Sequence, residues 1–315
     1  DGVEVFSDND IQIKSEKFIF YKTKKLLVLT GSVTIFDKSK NLKILGEEFF
    51  YDKSKEQIYS KLSNTILFNN EYTGKTKELF YNIEDSEIFS NKKIILKDQI
   101  GNEFFSDNFE INLNKNIFKS DNIKFIDINK NNYFLEKTFV NLETKELIGK
   151  DVKIDFEKSL FGNNQNDPRL KGNSVSIDKN FTNVSKGIFT TCKKTDKCPP
   201  WNIQASEIKH DKNKKQLIYK DAVLKVYDVP VFYFPKFFHP DPTVIKQSGL
   251  LKPEINGSDV LGSSITQPYY WMISENKDFT ISPTWSDNDF LAVQNEYRQA
   301  NKNSNILADF GFVNN

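Results

Sequence analysis

A pair of adjacent residues, both apolar except in Glu110-Ile111, recurs through the first half of the chain at nearly constant spacing. The second members of these pairs, separated by 30, 30, 30 and 29 residues, are Tyr21, Tyr51, Tyr81, Ile111 and Val140. A second apolar series follows each of the last four by six or seven residues, at Ile58, Ile88, Ile117 and Leu147. Two series that keep their phase over this length predict a stack of similar units, each a small supersecondary element.

Polar segments rich in Asp, Asn and Lys separate the two series, at residues 52–55, 82–85, 112–116 and 141–144. These residue types favour tight turns, so each unit is interpreted as strand, turn and strand. Stacked units of this kind form an elongated β-sandwich, jelly roll or solenoid, with one continuous apolar strip inside. On the repeat alone, the strip is either an ordinary packed core or a groove for a ligand.

Charge and histidine content exclude several function classes. The chain has 44 Lys and Arg against 43 Asp and Glu, so no overall basic field attracts nucleic acid, and a nucleic-acid partner is not expected. The only histidines are His210 and His239, and no nucleophile, phosphate-binding or calcium-loop motif accompanies them. We therefore predict no catalytic residues, no cofactor and no metal site, and a protein that is not an enzyme.

Prolines change the character of the chain after residue 228. Pro230, Pro235, Pro240 and Pro242 surround an aromatic segment, and this pattern predicts that regular strand pairing is blocked. The predicted organisation is a β-domain over residues 1–228, a stiff aromatic hinge over 229–248 and a new unit over 249–315.

The last unit has longer alternating strands, each roughly the ~10 residues of a transmembrane β-strand. A soluble β-sandwich produces the same alternation, so both interpretations remain open at this point. About five strands are too few to close a barrel of eight or more, and a barrel therefore requires that the chain be a fragment.

Seven short motifs occur in a distinctive order between residues 188 and 298. They are TTC at 190–192, PWNIQA at 200–205, VPVFYFPKF at 229–237, HPDPT at 239–243, QSGLLKP at 247–253, PYYW at 268–271 and DFTISP at 278–283. In order and spacing they resemble the LptD (OstA) family of outer-membrane lipopolysaccharide-assembly proteins. Residues 1–187 resemble the family's OstA/LptA-like repeat domain in pattern only.

The resemblance implies an all-β fold: a periplasmic OstA/LptA-like β-jellyroll over residues 1–228, then the first strands of a truncated antiparallel outer-membrane β-barrel over 249–315. It implies lipopolysaccharide transport and assembly, with lipid received in the jellyroll and passed to a barrel with a lateral gate. The implied partners are lipopolysaccharide, an LptA-like periplasmic bridge protein docking edge to edge, an LptE-like lipoprotein plug in the full barrel, and the outer membrane itself.

The resemblance also assigns roles to particular residues. It makes the apolar strip an acyl-chain groove, whose candidates are Phe20, Phe50, Ile58, Phe80, Ile88, Ile117, Phe139 and Leu147. The prolines near the family's lateral gate match Pro253 and Pro268, which are expected to lie within the first two barrel strands and to weaken their pairing by removing ladder donors.

Cys192 and Cys198 lie close enough in sequence for a local disulfide. The resemblance offers a second possibility, a bridge to the distal end of the barrel, and a metal site ranks last. The alternative function is that of a soluble β-solenoid that binds or degrades polysaccharide, which requires an exposed carboxylate or lysine cluster on one face. A purely structural surface β-protein is a third possibility, and it would lack an open groove.

Overall fold

The computed structural model describes residues 3–6, 11–158, 166–195, 199–240, 244, 246–258, 262–287 and 291–314. These residues form β-strands and one short 3-10 helix, Lys22–Lys24, which confirms the all-β class. In the described part of the chain, no helix is both long and apolar enough to cross a membrane. Backbone contacts divide the chain into two units, Asp1–Asp241 and Pro242–Asn315.

The strands of the first unit are β1 (Val3–Phe6), β2 (Ile11–Ser15), β3 (Lys17–Tyr21), β4 (Leu26–Asp37), β5 (Leu42–Asp52), β6 (Gln57–Ser60), β7 (Asn64–Phe68), β8 (Tyr72–Thr76), β9 (Leu79–Asn82), β10 (Glu87–Ser90), β11 (Ile94–Asp98), β12 (Glu103–Ser106), β13 (Phe109–Asn112), β14 (Ile117–Ile126), β15 (Asn132–Asn141), β16 (Leu147–Asp155), β17 (Arg169–Ile177), β18 (Phe181–Thr190), β19 (Trp201–Asp211), β20 (Gln216–Val226) and β21 (Val229–Pro240). All their pairings are antiparallel.

Long strands join two facing layers in this unit. Residues 42–46 of β5 pair with β7, whereas residues 50–52 of the same strand pair with β6. β14 divides in the same way, because residues 117–119 pair with β13 and residues 124–126 with β12. The first layer contains β6, β9, β10 and β13, and the second contains β7, β8, β11 and β12. Each long strand contributes one half to each layer.

Bends in the long strands coincide with residues in the left-handed region. Ser32 in β4, Asn122 in β14, Asp151 in β16, Lys186 in β18 and Asp221 in β20 all have positive φ between 44° and 52°. A left-handed residue inside a strand forms a bulge that bends it and increases its twist. These bulges turn each strand from the first layer into the second, which is how one sheet folds back on itself around a single core.

The predicted turns are confirmed, and they stack on one another. Residues 53–56, 83–86, 113–116 and 142–144 are turns. The backbone N–H of Ile83 donates to the carbonyl of Glu56 at 2.9 Å, and Leu113 donates to Ser86 at 2.9 Å, so each turn is tied to the one before it. This stacking accounts for the constant repeat length, since a unit of different length would misalign its turn.

Gly172 packs at the bend of β17, where a side chain has no room. A Cβ atom there would lie 2.2 Å from Val184 Cγ1 and 2.9 Å from the backbone oxygen of Ser185. We expect Gly172→Ala to lower the free energy of unfolding by about 2 kcal/mol, because the backbone oxygen cannot move aside as a side chain would. Lys171→Ala, on the neighbouring exposed position, should change it by less than about 0.5 kcal/mol. Urea denaturation measures both, and equal effects would contradict this account.

The predicted hinge over residues 229–248 is wrong for residues 229–240. These residues form β21, which pairs with β20 along its whole length with one irregularity between Leu224 and Lys225. Proline is tolerated here because β21 is an edge strand in the described part of the unit, so its outer side needs no ladder donors. The division between the units falls at residues 241 and 242 instead of near residue 228.

The second unit is a separate antiparallel sheet. Its strands are β22 (Gly249–Leu250), β23 (Glu254–Ser258), β24 (Gly262–Thr266), β25 (Tyr269–Ser274), β26 (Lys277–Ser286), β27 (Leu291–Ala300) and β28 (Asn305–Asn314). Large apolar side chains are exposed along it, including Ile255, Trp271 and Phe312. The buried carboxylate of Asp278 pairs with Arg298 Nε at 2.6 Å and with Lys246 Nζ at 3.2 Å.

Candidate functional site

The interior of the first unit is lined by two rows of inward-facing residues, each made of directly paired positions on neighbouring strands. The first inward row crosses fifteen strands from β3 to β21: Phe20, Leu27, Tyr51, Ile58, Tyr81, Ile88, Ile111, Phe118, Val140, Leu147, Ile177, Thr182, His210, Leu217 and His239. It belongs to the first layer and contains the predicted repeat series Tyr51, Tyr81, Ile111 and Val140.

The second inward row faces the first from the other layer. It crosses fifteen strands from β2 to β21: Ile13, Ile35, Ile44, Ile66, Gly74, Leu96, Phe104, Phe125, Tyr133, Ile154, Leu170, Phe189, Ile203, Leu224 and Phe232. Neither row contains a Lys, Arg, Asp or Glu. The two rows therefore form one uncharged, largely apolar strip along the stacking direction, in which Thr182, His210 and His239 are polar members of the first row.

The strip is packed tightly in its earlier inner strands and more loosely in places from β12 onward. Ile35, Ile44, Ile58 and Ile88 are completely buried, as in any packed core. From β12 onward, several members are only half-buried, including Phe104, Phe125, Ile177, Ile203 and Leu224. Beyond them, Phe232 on the edge strand β21 is 61% exposed, so the strip opens to the surface there.

Tyrosines in the rows direct their hydroxyls to buried or half-buried aspartates. Tyr81 donates to Asp37 Oδ2 at 2.5 Å, joining the two layers, and Tyr133 donates to Asp127 Oδ2 at 3.2 Å. Burial raises the pKa of Tyr81 well above its ordinary value, and the Asp37 carboxylate acts in the same direction. Both hydroxyls remain donors, and the ring faces supply apolar surface to the strip.

An aromatic cluster ends the strip near β21. His239 Nε2 lies 2.9 Å from Tyr219 Oη, and its Nδ1 lies 2.7 Å from the carbonyl oxygen of Pro240. Since a carbonyl only accepts, the neutral ring carries its proton on Nδ1 and accepts from Tyr219 through Nε2. The rings of Phe189 and Phe237 lie 6.2 and 6.0 Å from that of His239. Burial raises the pKa of Tyr219, so its hydroxyl stays protonated.

The predicted groove residues do not share one face. Ile58, Ile88 and Leu147 are buried in the first inward row, and Phe20 lies at its exposed end. Phe50, Phe80, Ile117 and Phe139 instead lie on the outer face of the first layer, each next to an inward residue. The physical reason is the two-residue period of a strand, because a shift of one position moves a side chain to the opposite face.

Sequence reasoning missed half of the strip. Tyr51, Tyr81 and Val140 stood beside the chosen residues in the recurring pairs, so the signal was present but assigned to the wrong member. The second inward row gave no recognisable repeat.

The two predicted gate prolines lie outside the strands. Pro253 immediately precedes β23, and Pro268 lies between β24 and β25, where its carbonyl accepts from the N–H of Leu251 at 2.9 Å. Pro253 thus separates β22 from β23, and Pro268 separates β24 from β25, which pair with β26 in one register on both sides of the break. The expectation that the prolines interrupt strand pairing agrees with this arrangement, and their role at a lateral gate stays a prediction. Cys192 is half-buried, and its Sγ lies 3.6 Å from the carbonyl oxygen of Trp201. Cys198 lies outside the described residues, so the disulfide between the two cysteines stays a prediction.

Curated relatives match part of this chain. It is 31% identical over 140 residues to the LPS-assembly protein LptD of Pseudoalteromonas translucida, which covers 44% of this chain and 18% of the relative. It is 31% identical over 162 residues to LptD of Yersinia pseudotuberculosis, a match that covers 51% of this chain and 20% of the relative. It is 32% identical over 125 residues to LptD of a Polaromonas species, a match that covers 39% of this chain and 15% of the relative. The chain thus spans a fifth or less of the length of these relatives.

No family model matches the chain. Among solved structures, the LptA-homologous periplasmic protein LptH of Pseudomonas aeruginosa has a TM-score of 0.30 and 13% identity, over 36% of this chain and 85% of that one. A likeness of this size carries no argument about function.

The two layers and their shared apolar strip define an all-β, jellyroll-like protein. Within that class, the sequence matches point to one group of proteins. This chain is similar to the LPS-assembly proteins LptD, and the resemblance predicted from its motifs is confirmed.

Proposed function

We propose that the interior of the first unit carries the acyl chains of lipopolysaccharide during its assembly at the outer membrane. The observation that supports this is the pair of facing rows, which continue through the long strands without a charged residue. Exposing each CH₂ of an acyl chain to water costs about 0.8 kcal/mol, so a carrier of several chains needs continuous apolar cover. The polar turns that flank the interior leave the sugars in water.

The open strands at the two ends suit different partners. At the amino-terminal end, β3 pairs only with β4 among the described strands, and Phe18, Ile19 and Phe20 are exposed on it. An exposed, apolar strand edge favours addition of another strand, so we assign this end to an LptA-like bridge protein that docks edge to edge.

The second unit is proposed to supply the first strands of an outer-membrane barrel, over residues 249–315. Its exposed apolar side chains suit a lipid environment. In this proposal Pro253 and Pro268 lie near a lateral gate, an LptE-like lipoprotein plugs the complete barrel, and the first unit lies in the periplasm. The chain acts as a conduit and performs no chemical step.

The saccharide-binding alternative is not favoured by the outer face of the first layer. The rings of Phe50, Tyr59, Phe80 and Phe89 stack on one another there, with centroids 5.1 to 5.9 Å apart and interplanar angles of 14° to 21°. Sugars bind to free ring faces, and in this row the faces cover each other.

Photo-crosslinking at adjacent positions tests the proposal. A crosslinking amino acid at Tyr81 or Ile111 faces the strip, whereas one at Phe80 or Glu110 faces outward on the same strands. In the full chain with lipopolysaccharide, we expect strong labelling at the inward pair and background labelling at the outward pair. Circular dichroism should show all four variants folded. Equal labelling on both faces would contradict transport through the interior.

A further inference from the structure

Resting on the function proposed above, we propose a lateral binding site in the first unit for a single alkyl chain that ends in an anionic group. The tail occupies a cavity between the two inward rows near β8 and β16. The anionic head binds Lys145 at the rim and replaces Glu71 there. The site is distinct from the open ends of the strip, because it enters the interior from the side.

The cavity lies where the strip loosens. Its volume is about 240 Å³, and its apolar wall includes Phe104 and Phe125 from the second inward row and Val140, Leu147 and Ile177 from the first. Ordinary ligand pockets measure about 300–1,000 Å³, so this cavity suits one alkyl tail better than several. Because both rows form its wall, the cavity is part of the same apolar strip that is proposed to carry acyl chains.

A lysine and a glutamate bridge the two layers at the rim. Lys145, in the turn between β15 and β16 of the first layer, forms an ion pair with Glu71, in the turn before β8 of the second. Lys145 Nζ also donates to Tyr72 Oη at 2.7 Å and lies 4.5 Å from the centre of that ring. The Lys145 side chain thus crosses the entrance of the cavity, and it joins the first layer to Glu71 and Tyr72 of the second.

An anionic head group can replace Glu71 as the partner of Lys145. The side chains of Lys145 and Glu71 are 48% and 47% exposed, and an ion pair so exposed to water is weak. A phosphate offers Lys145 more charge and more acceptor oxygens than one carboxylate does. Burial lowers the pKa of Lys145, but the hydrogen bonds that its ammonium donates to Glu71 and Tyr72 outweigh this effect and raise the pKa overall, so the ammonium is charged in either state.

The other carboxylate at the rim does not oppose an anion strongly. Asp98 Oδ1 accepts hydrogen bonds from the backbone N–H groups of Ile100, Gly101 and Asn102, at 2.9 to 3.0 Å. Its Oδ2 accepts from the side chain of Asn102 at 2.7 Å. These donors compensate its charge within its own turn, which leaves Lys145 as the group available to an incoming head.

Photo-labelling of the full chain tests the site. The probe is dodecyl phosphate with a diazirine at the chain end, compared with the same chain on maltoside, and labelled residues are mapped by mass spectrometry. We expect the phosphate probe to label Phe104 and Ile177 roughly tenfold more than the maltoside probe does, as one charge-assisted contact allows. Excess inorganic phosphate should not remove the labelling, because the head without a tail binds weakly.

Variants separate this site from the rest of the interior. Lys145→Met should remove the preference for phosphate, whereas Lys115→Met, in the preceding turn of the same stack, should keep it. Ile177→Trp should fill the cavity and reduce labelling of Phe104 by both probes. Equal preference in the two lysine variants, or complete competition by inorganic phosphate, would overturn the proposal. Loss of this site with unchanged crosslinking at Tyr81 and Ile111 would leave the proposed function intact.

Discussion

Ile88→Ala is expected to lower the free energy of unfolding of the first unit by about 3 kcal/mol, and Phe80→Ala by only about 1 kcal/mol. Ile88 is completely buried in the first inward row, so its truncation leaves a cavity that the packed interior cannot refill. Phe80 lies on the outer face, between the rings of Tyr59 and Phe89 at 5.9 and 5.2 Å, and its loss removes stacking at a half-exposed position.

Urea denaturation of the full chain, followed by circular dichroism, measures the difference. Both residues were predicted from sequence as groove candidates, so the comparison tests which face each one occupies. The larger residue should give the smaller effect, which is the reverse of what volume alone predicts. Equal destabilisation would mean that the strand alternation described for β9 and β10 is wrong.

Sequence spacing predicted the repeat but not which member of each apolar pair faces the interior. The turns at residues 53–56 and 83–86 occur where the polar segments indicated, because Asp and Asn close tight turns through local hydrogen bonds. The inward face could not be decided in the same way, since both members of a pair such as Phe80 and Tyr81 are apolar. The outward phenylalanines stack on one another, and this stacking gives the outer face a hydrophobic pattern of its own.

The inward row of the second layer was not predicted, although a sandwich or jelly roll implies a second layer. Its inward residues lie on short strands such as β7 and β11 and on the second halves of long strands such as β14. Bulges at residues such as Asn122 interrupt the alternation of inward and outward residues along the long strands, so the pattern before a bend does not continue after it.

Prolines misled the prediction over residues 229–240. Proline lacks a backbone donor, and three prolines within these twelve residues argue against a central strand. β21 accommodates its prolines because it is an edge strand of the described sheet, where one side of the strand needs no backbone donors. Its side chains Val231, Phe232 and Tyr233 are all exposed, so no alternation of buried and exposed residues distinguished a strand from a hinge.

Ile203→Asp is expected to block the strip. Ile203 belongs to the second inward row in β19, where packing is loose enough for the side chain to be half-buried. A carboxylate there should be tolerated by the fold, but it places a charge on the path of the acyl chains, and contact with lipid then requires its desolvation. Gln204→Asp adds the same group to the next residue, on the opposite face, and serves as the matched control.

The readout is crosslinking of lipopolysaccharide at two positions of the second row, Phe125 before the block and Leu224 beyond it. With Ile203→Asp we expect labelling at Phe125 to persist and labelling at Leu224 to fall at least tenfold, whereas Gln204→Asp should leave both unchanged. A uniform loss at both positions would indicate unfolding, which circular dichroism distinguishes. Undiminished labelling at Leu224 in the folded variant would mean that lipid reaches β20 by a route that does not pass Ile203, and it would contradict transport along the strip.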